Sequence, residues 1–259
     1  PTPRQMIPLS DDNPTVRLPI MTVLLLAGML SAWLVVQGGG FDGRVLAMSV
    51  CNLGLVPGEL TGQAPLGFAV PIARGLECVV DQERINWLTP VISLFLHGGW
   101  AHLLGNGLFL WVFGNNIEDV MGRGRFLAFY LLCGLSAAVA HIAIDPASPI
   151  PTVGASGAIS GVMGAYLILY PRVRVRMLVF VFVMTWPAWA VLLYWLALQL
   201  LTGLPQVTDP GALTGGVAVW AHIGGFVAGA VLIRIFIEPE LVERRRAILL
   251  QRGLLRVAD

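Results

Sequence analysis

The side chains able to do chemistry are few and fall where the chain is otherwise apolar. His102 and Asn106 interrupt one apolar run, Ser156 and Ser160 a second, and His222 a third, with His97 and His141 close to run ends. Ionisable or strongly polar groups are expensive in such surroundings, so each is a candidate functional residue. A serine hydroxyl beside an imidazole can perform acyl transfer: the imidazole takes the hydroxyl proton and the oxygen attacks a carbonyl. Ser156 is the candidate nucleophile and His222 the candidate base.

Ser156 lies in Gly154-Ala155-Ser156-Gly157-Ala158, directly after a loop containing Pro146, Pro149 and Pro151. That context predicts the first turn of a helix. Backbone N–H groups there lack intrahelical partners and the helix dipole is positive, which suits an oxyanion. The plainer reading is a packing face, because Gly157, Gly161 and Gly164 make the helix smooth. His222 precedes Gly225 and Gly229, a GxxxG face. Glycines on both runs would let the backbones approach until hydroxyl and imidazole touch. His222 falls about eight residues into a run beginning near 214, or roughly 12 Å from its end at 1.5 Å per residue. His102 and Asn106, four apart, share a helix face, where they could be interhelical glue or part of the same site.

No membrane carboxylate is available to orient His222, since every Asp falls in an expected loop or terminus. The site would be a dyad, with the imidazole fixed by packing or by a hydrogen bond from an aromatic or backbone group. There is no HExxH and no metal-type cysteine spacing, so no metal or cofactor is expected. Cys133 reads as core filler, and a Cys51–Cys78 disulfide is possible within one long loop.

The elements that must position these groups belong to a membrane protein. The 259 residues are 56% hydrophobic and 12% charged, about half the charged fraction of a soluble domain. A net charge of +1 gives a nucleic-acid partner no support. Apolar runs lie near 18–36, 100–117, 125–144, 155–171, 177–201 and 214–237. About 20 apolar residues cross a bilayer, so the expectation is an all-α bundle of six spans. The run at 18–36 is too long for a signal peptide and reads as a span. Arginines concentrate at 123–125, 172–176 and 244–256, whereas 145–154 and 202–213 contain none. Both termini would therefore be cytoplasmic. The expected layout is a short segment 1–17, a membrane domain 18–237 with a long outer loop of about 37–99, and a basic tail 238–259 lying on the inner leaflet as an amphipathic helix.

Three motifs together resemble the rhomboid family of intramembrane serine proteases: His97-Gly98-Gly99-Trp100-Ala101-His102-Leu103-Leu104-Gly105-Asn106, Gly154-Ala155-Ser156-Gly157, and Ala221-His222-Ile223-Gly224-Gly225 with Gly229. The resemblance implies a six-helix bundle in a bacterial plasma membrane, with a water-filled cavity opening outward and transmembrane-helix proteins as substrates. It implies Ser156 as nucleophile and His222 as base, with His102, Asn106 and the Ser156 N–H as oxyanion hole. His97 would brace the junction of the first loop and second helix. The fifth helix, bearing Trp186, Trp189 and Trp195 with a kink at Pro187, and the loop 202–213 would gate and cap the site. Two departures stand out. Trp87 is followed by Leu88 where many relatives have Arg, which leaves Glu118 without that brace. Ser160 stands where many have a Tyr under the histidine ring. Two other classes fit less well: a non-catalytic rhomboid-like binder, which would usually lack the Ser or His, and a transporter, which would need a membrane carboxylate.

Overall fold

Apolar segments in lipid must satisfy their own backbone hydrogen bonds, and helices do so locally. The computed structural model describes residues 6–73, 75–81, 87–208 and 218–254. A strand, β1 (Met6–Asp11), precedes the first apolar helix α1 (Ile20–Ser31), which continues as a π-turn through Val36. Pro19 offers α1 no side-chain cap. Its first N–H groups are met from far along the chain, because Met21 N and Thr22 N donate to the Glu118 carboxylate at 2.9 and 2.8 Å. Thr22 Oγ1 donates to the same group, so Glu118 has three hydrogen-bond donors from α1, none of them an arginine.

The segment after α1 is built of short elements. They are α2 (Gly43–Leu53), α3 (Pro57–Thr61), a hairpin of β2 (Ala69–Ala73) with β3 (Leu76–Val79), and α4 (Thr89–Ile92). A Cys51–Cys78 disulfide ties α2 to β3. Next come α5 (Trp100–Phe109), a π-turn over 110–114 and α6 (Asn115–Met121), then α7 (Arg123–Ile144) and α8 (Ser156–Leu169). The chain continues through β4 (Arg174–Val179), β5 (Phe182–Pro187), α9 (Ala188–Thr208), α10 (Val219–Phe236) and α11 (Pro239–Gln251). Among the described residues, three helical stretches are long and apolar enough to cross a membrane: Arg123–Ile144, Ala188–Pro205 and Val219–Phe236. Ile20–Val36 and Ser156–Leu169 are shorter apolar helices.

The centre of the molecule is the contact of α8 with α10, flanked by α7. A Cβ on Gly225 would lie 2.0 Å from Gly157 O, and one on Gly229 only 1.9 Å from Gly161 O. The backbones are therefore in direct contact. The matched pairs 157/225 and 161/229 advance together, so the helices run parallel and begin at the same end. Cys133, free and buried, packs against Gly161, where an added Cβ would meet its side chain.

Three expectations change. The apolar run 177–201 is not one span: its first part is an antiparallel sheet of order β1-β4-β5. The alternation that marks a strand lies in β4 and only enters the start of that run: Val175 and Met177 are buried while Arg174 and Arg176 are exposed. Pro187 ends β5 rather than kinking a helix, and residues 202–208 of the expected cap loop extend α9. The rest of that loop, 209–213, lies outside the described residues. The basic tail forms a helix, α11, that is also pinned to the protein. Arg245 of α11 is buried, pairs with Asp119 of α6 at 3.0 Å and donates to Asn13 and Pro14 O.

Gly229→Ala should lower stability by more than about 3 kcal/mol, the upper end of ordinary single substitutions. Gly124→Ala on α7, where a Cβ meets nothing within 4 Å, should be neutral or stabilise by about 0.5–1 kcal/mol. Denaturant unfolding in micelles measures both. Asp11 receives hydrogen bonds from Asn116 and Tyr166, yet burial raises its carboxyl to about 6. The folded value exceeds the unfolded one, so this contribution is complete below about pH 4 and lost as pH rises through about 6. Between pH 4 and 7 the unfolding midpoint of the wild type should fall relative to that of Asp11→Asn.

Candidate active site

Ser156 is the first residue of α8 and His222 the fourth of α10. Because the helices are parallel and glycine-lined, these starting turns meet, and His222 Nε2 lies 2.7 Å from Ser156 Oγ. Both side chains are half-buried. The histidine is nearer its helix start than the run beginning at 214 implied, because α10 begins only at Val219.

His222 Nδ1 lies 3.0 Å from Gln199 Oε1 on α9. A carboxamide oxygen can only accept, so Nδ1 carries the proton and Nε2 presents its lone pair to the serine hydroxyl. Trp195, also on α9, sits with its ring 5.7 Å from the imidazole and stacks on Phe226. The packing anticipated for the ring is thus present, but the hydrogen bond comes from a carboxamide and not from an aromatic or backbone group. Gln199 is a strongly polar side chain inside an apolar run, and the rule that singled out Asn106 would have found it. Ser160, in the position of the absent tyrosine, is turned away and donates to Ser156 O at 2.6 Å.

The second side of the site comes from α5. His102 Nδ1 accepts from Gly98 N at 3.3 Å, which leaves Nε2 as the protonated nitrogen. A Cβ on Gly154 would lie 2.8 Å from that Nε2 and 3.6 Å from Ser156 Oγ, so both atoms border one small region. Gly154 has φ +131°, so both its backbone conformation and the His102 ring exclude a larger residue. Asn106, one turn along from His102, is buried, and its Nδ2 has no hydrogen-bond partner among the described residues. A buried amide donor without a partner is costly, which marks it as a group kept for something else.

Neighbouring loops fix these turns. Leu55 and Thr152 exchange backbone hydrogen bonds, Gly154 N donates to Ser93 O, and His141 Nε2 lies 3.1 Å from Thr152 Oγ1. His141 therefore pins the approach to Ser156 rather than joining the dyad. His97 is fully buried; its backbone N and O are both bonded to the Gln37 side chain at 2.8 Å, and its ring lies edge-on to His102 at 5.1 Å. Gln37 was also overlooked, for nothing in sequence links it to position 97. A cavity of about 830 Å³ lies away from the dyad, between α2, α3 and β3, lined by Arg44, Cys51, Glu59 and Cys78 among others. Residues 209–217, which follow α9, are outside the described set.

The Rhomboid domain family matches residues 84–239, more than half of the chain. Rhomboid protease GluP of Bacillus subtilis is 41% identical over 95 residues, 37% of this chain and 18% of that protein. RHOMBOID-like protein 5 of Arabidopsis thaliana is 30% identical over 178 residues, 64% of this chain and 50% of the relative. Putative rhomboid protease YdcA of Bacillus subtilis is 33% identical over 84 residues, 32% of this chain and 42% of the relative. The matches thus span half or less of these relatives' lengths.

Proposed function

The chain belongs to the rhomboid family and is an integral membrane protein, and on that premise we propose that it is a serine endopeptidase that cleaves transmembrane proteins within the bilayer. The observation that carries this reading is the 2.7 Å contact between Ser156 Oγ and His222 Nε2. In this mechanism His222 takes the hydroxyl proton as Ser156 attacks the scissile carbonyl, forming the C–O bond of a tetrahedral intermediate. His102 Nε2–H, Asn106 Nδ2 and the Ser156 N–H receive the oxyanion. The imidazolium then protonates the leaving amine as the C–N bond breaks. Water, deprotonated by His222, hydrolyses the acyl-enzyme and restores the hydroxyl.

The proposed topology is six spans, with the second formed by α5 and α6 and the fifth by α9 alone. The layout of 1–17, 18–237 and 238–259 is retained, with the segment 37–99 on the outer side. Several contacts support this orientation. β1, the β4–β5 hairpin and α11 gather at the end opposite the dyad, with Arg125, Arg174, Arg176 and Arg245. An arginine-rich end belongs in the cytoplasm, which puts Ser156 and His222 in the outer half of the membrane. The substrates are membrane proteins whose helix unwinds locally to expose a peptide bond to Ser156.

Purified protein should react with a fluorophosphonate and cut a subset of single-span substrates, with products identified by mass spectrometry. Ser156→Ala and His222→Ala should abolish cleavage while unfolding remains cooperative; full cleavage by Ser156→Ala would sink the assignment, and an unreactive but substrate-binding wild type would indicate a non-catalytic binder. Asn106→Ala should lower kcat about 10²–10³-fold, the typical effect of losing one oxyanion donor.

A further inference from the structure

A serine–histidine pair without a carboxylate poses two problems. The ring must face the serine, and its proton must sit on the far nitrogen. Here both are met from α9. Gln199 accepts from Nδ1 at 3.0 Å, and Trp195, one helical turn earlier, lies against the ring at 5.7 Å. The hydroxyl nearest on α8, Ser160, is committed to its own helix backbone. Among the described residues, the ionisable groups acting on His222 from the elements around it are His102 of α5 and His141 of α7, neither of them a carboxylate. A carboxamide left unpartnered in an apolar run is costly, and the bond to His222 offsets that cost.

We infer that Gln199 is the positioning residue of the dyad, setting the tautomer and orientation of His222 in place of a triad carboxylate, so that the base is complete only while α9 is seated against α10. This rests on the reading of Ser156 as nucleophile. Gln199 does not touch the reacting atoms; it acts through the imidazole. Because its oxygen is neutral, it orients the ring without adding charge to stabilise the imidazolium. A carboxylate at the same reach should keep the orientation and add that charge. A side chain one methylene shorter should lose the contact.

The test compares wild type, Gln199→Leu, Gln199→Asn and Gln199→Glu for cleavage of a single-span substrate and for fluorophosphonate labelling across pH. Unfolding midpoints serve as the folding control. Leu and Asn should each lower kcat about 10–100-fold with KM unchanged, below the 10²–10⁴-fold that a general base as a whole contributes. Glu should recover kcat and move the acid limb of the rate profile to higher pH. Wild-type rates in Leu and Asn would overturn the inference. So would an equal loss in all three variants with an unshifted profile, since that is the signature of packing alone. A wild type inert to the fluorophosphonate would instead defeat the nucleophile reading, and the two failures are thereby distinguishable.

Discussion

Two polypeptide backbones touching without intervening side chains set the geometry of the molecule. Helix pairs normally stand 8–10 Å apart because side chains separate them. Between α8 and α10 the glycines at 157, 161, 225 and 229 remove that spacer, so that carbonyls of one helix occupy the places where Cβ atoms of the other would be. Lipid tails offer little hydrophobic incentive for helices to associate, so dispersion between closely packed backbones must carry much of the contact. A hydroxyl on a short stem can then meet an imidazole from the neighbouring helix. The parallel register places both at helix starts, where unpaired N–H groups are available.

What surrounds that contact is held largely by polar pins between segments distant in sequence. Glu118 closes the start of α1, Gln37 grips both backbone groups of His97, and Arg245 bridges α11 to Asp119 and the N-terminal segment. Each is buried, and a buried polar group left unpaired is costly, so each pin specifies one arrangement rather than adding bulk adhesion. Where relatives have the first-loop arginine, Glu118 here accepts three hydrogen bonds from backbone and hydroxyl donors of α1. The missing tyrosine under His222 is compensated from α9 instead of α8, by Trp195 and Gln199.

The two ends of the bundle differ in kind. At the dyad end, loops are tied by backbone pairing between Leu55 and Thr152 and by the disulfide near α2. At the other end, the β1-β4-β5 sheet joins the N-terminal segment to the connection between α8 and α9, and α11 packs beneath α6. Positive charge gathers there, while the dyad end places the serine, two histidines and the asparagine around a common region.

Residue type and order alone were enough to identify the membrane environment, the helix carrying Ser156, the glycine faces and the group of polar side chains around the dyad. The reason is local: hydropathy, glycine spacing and helix-start chemistry are properties of short windows. The same window failed at 177–201, where it summed hydrophobicity and started past Arg174-Val175-Arg176, the part of the strand alternation that runs into Met177. It also misplaced His222 by several residues, since a helix start depends on the chain before it. The partners of His222, His97 and Glu118 were decided by the tertiary structure, because each hydrogen bond joins elements far apart in the chain. A carboxamide reads the same in sequence whether it faces lipid or an imidazole; only the packing of α9 against α10 distinguishes the two.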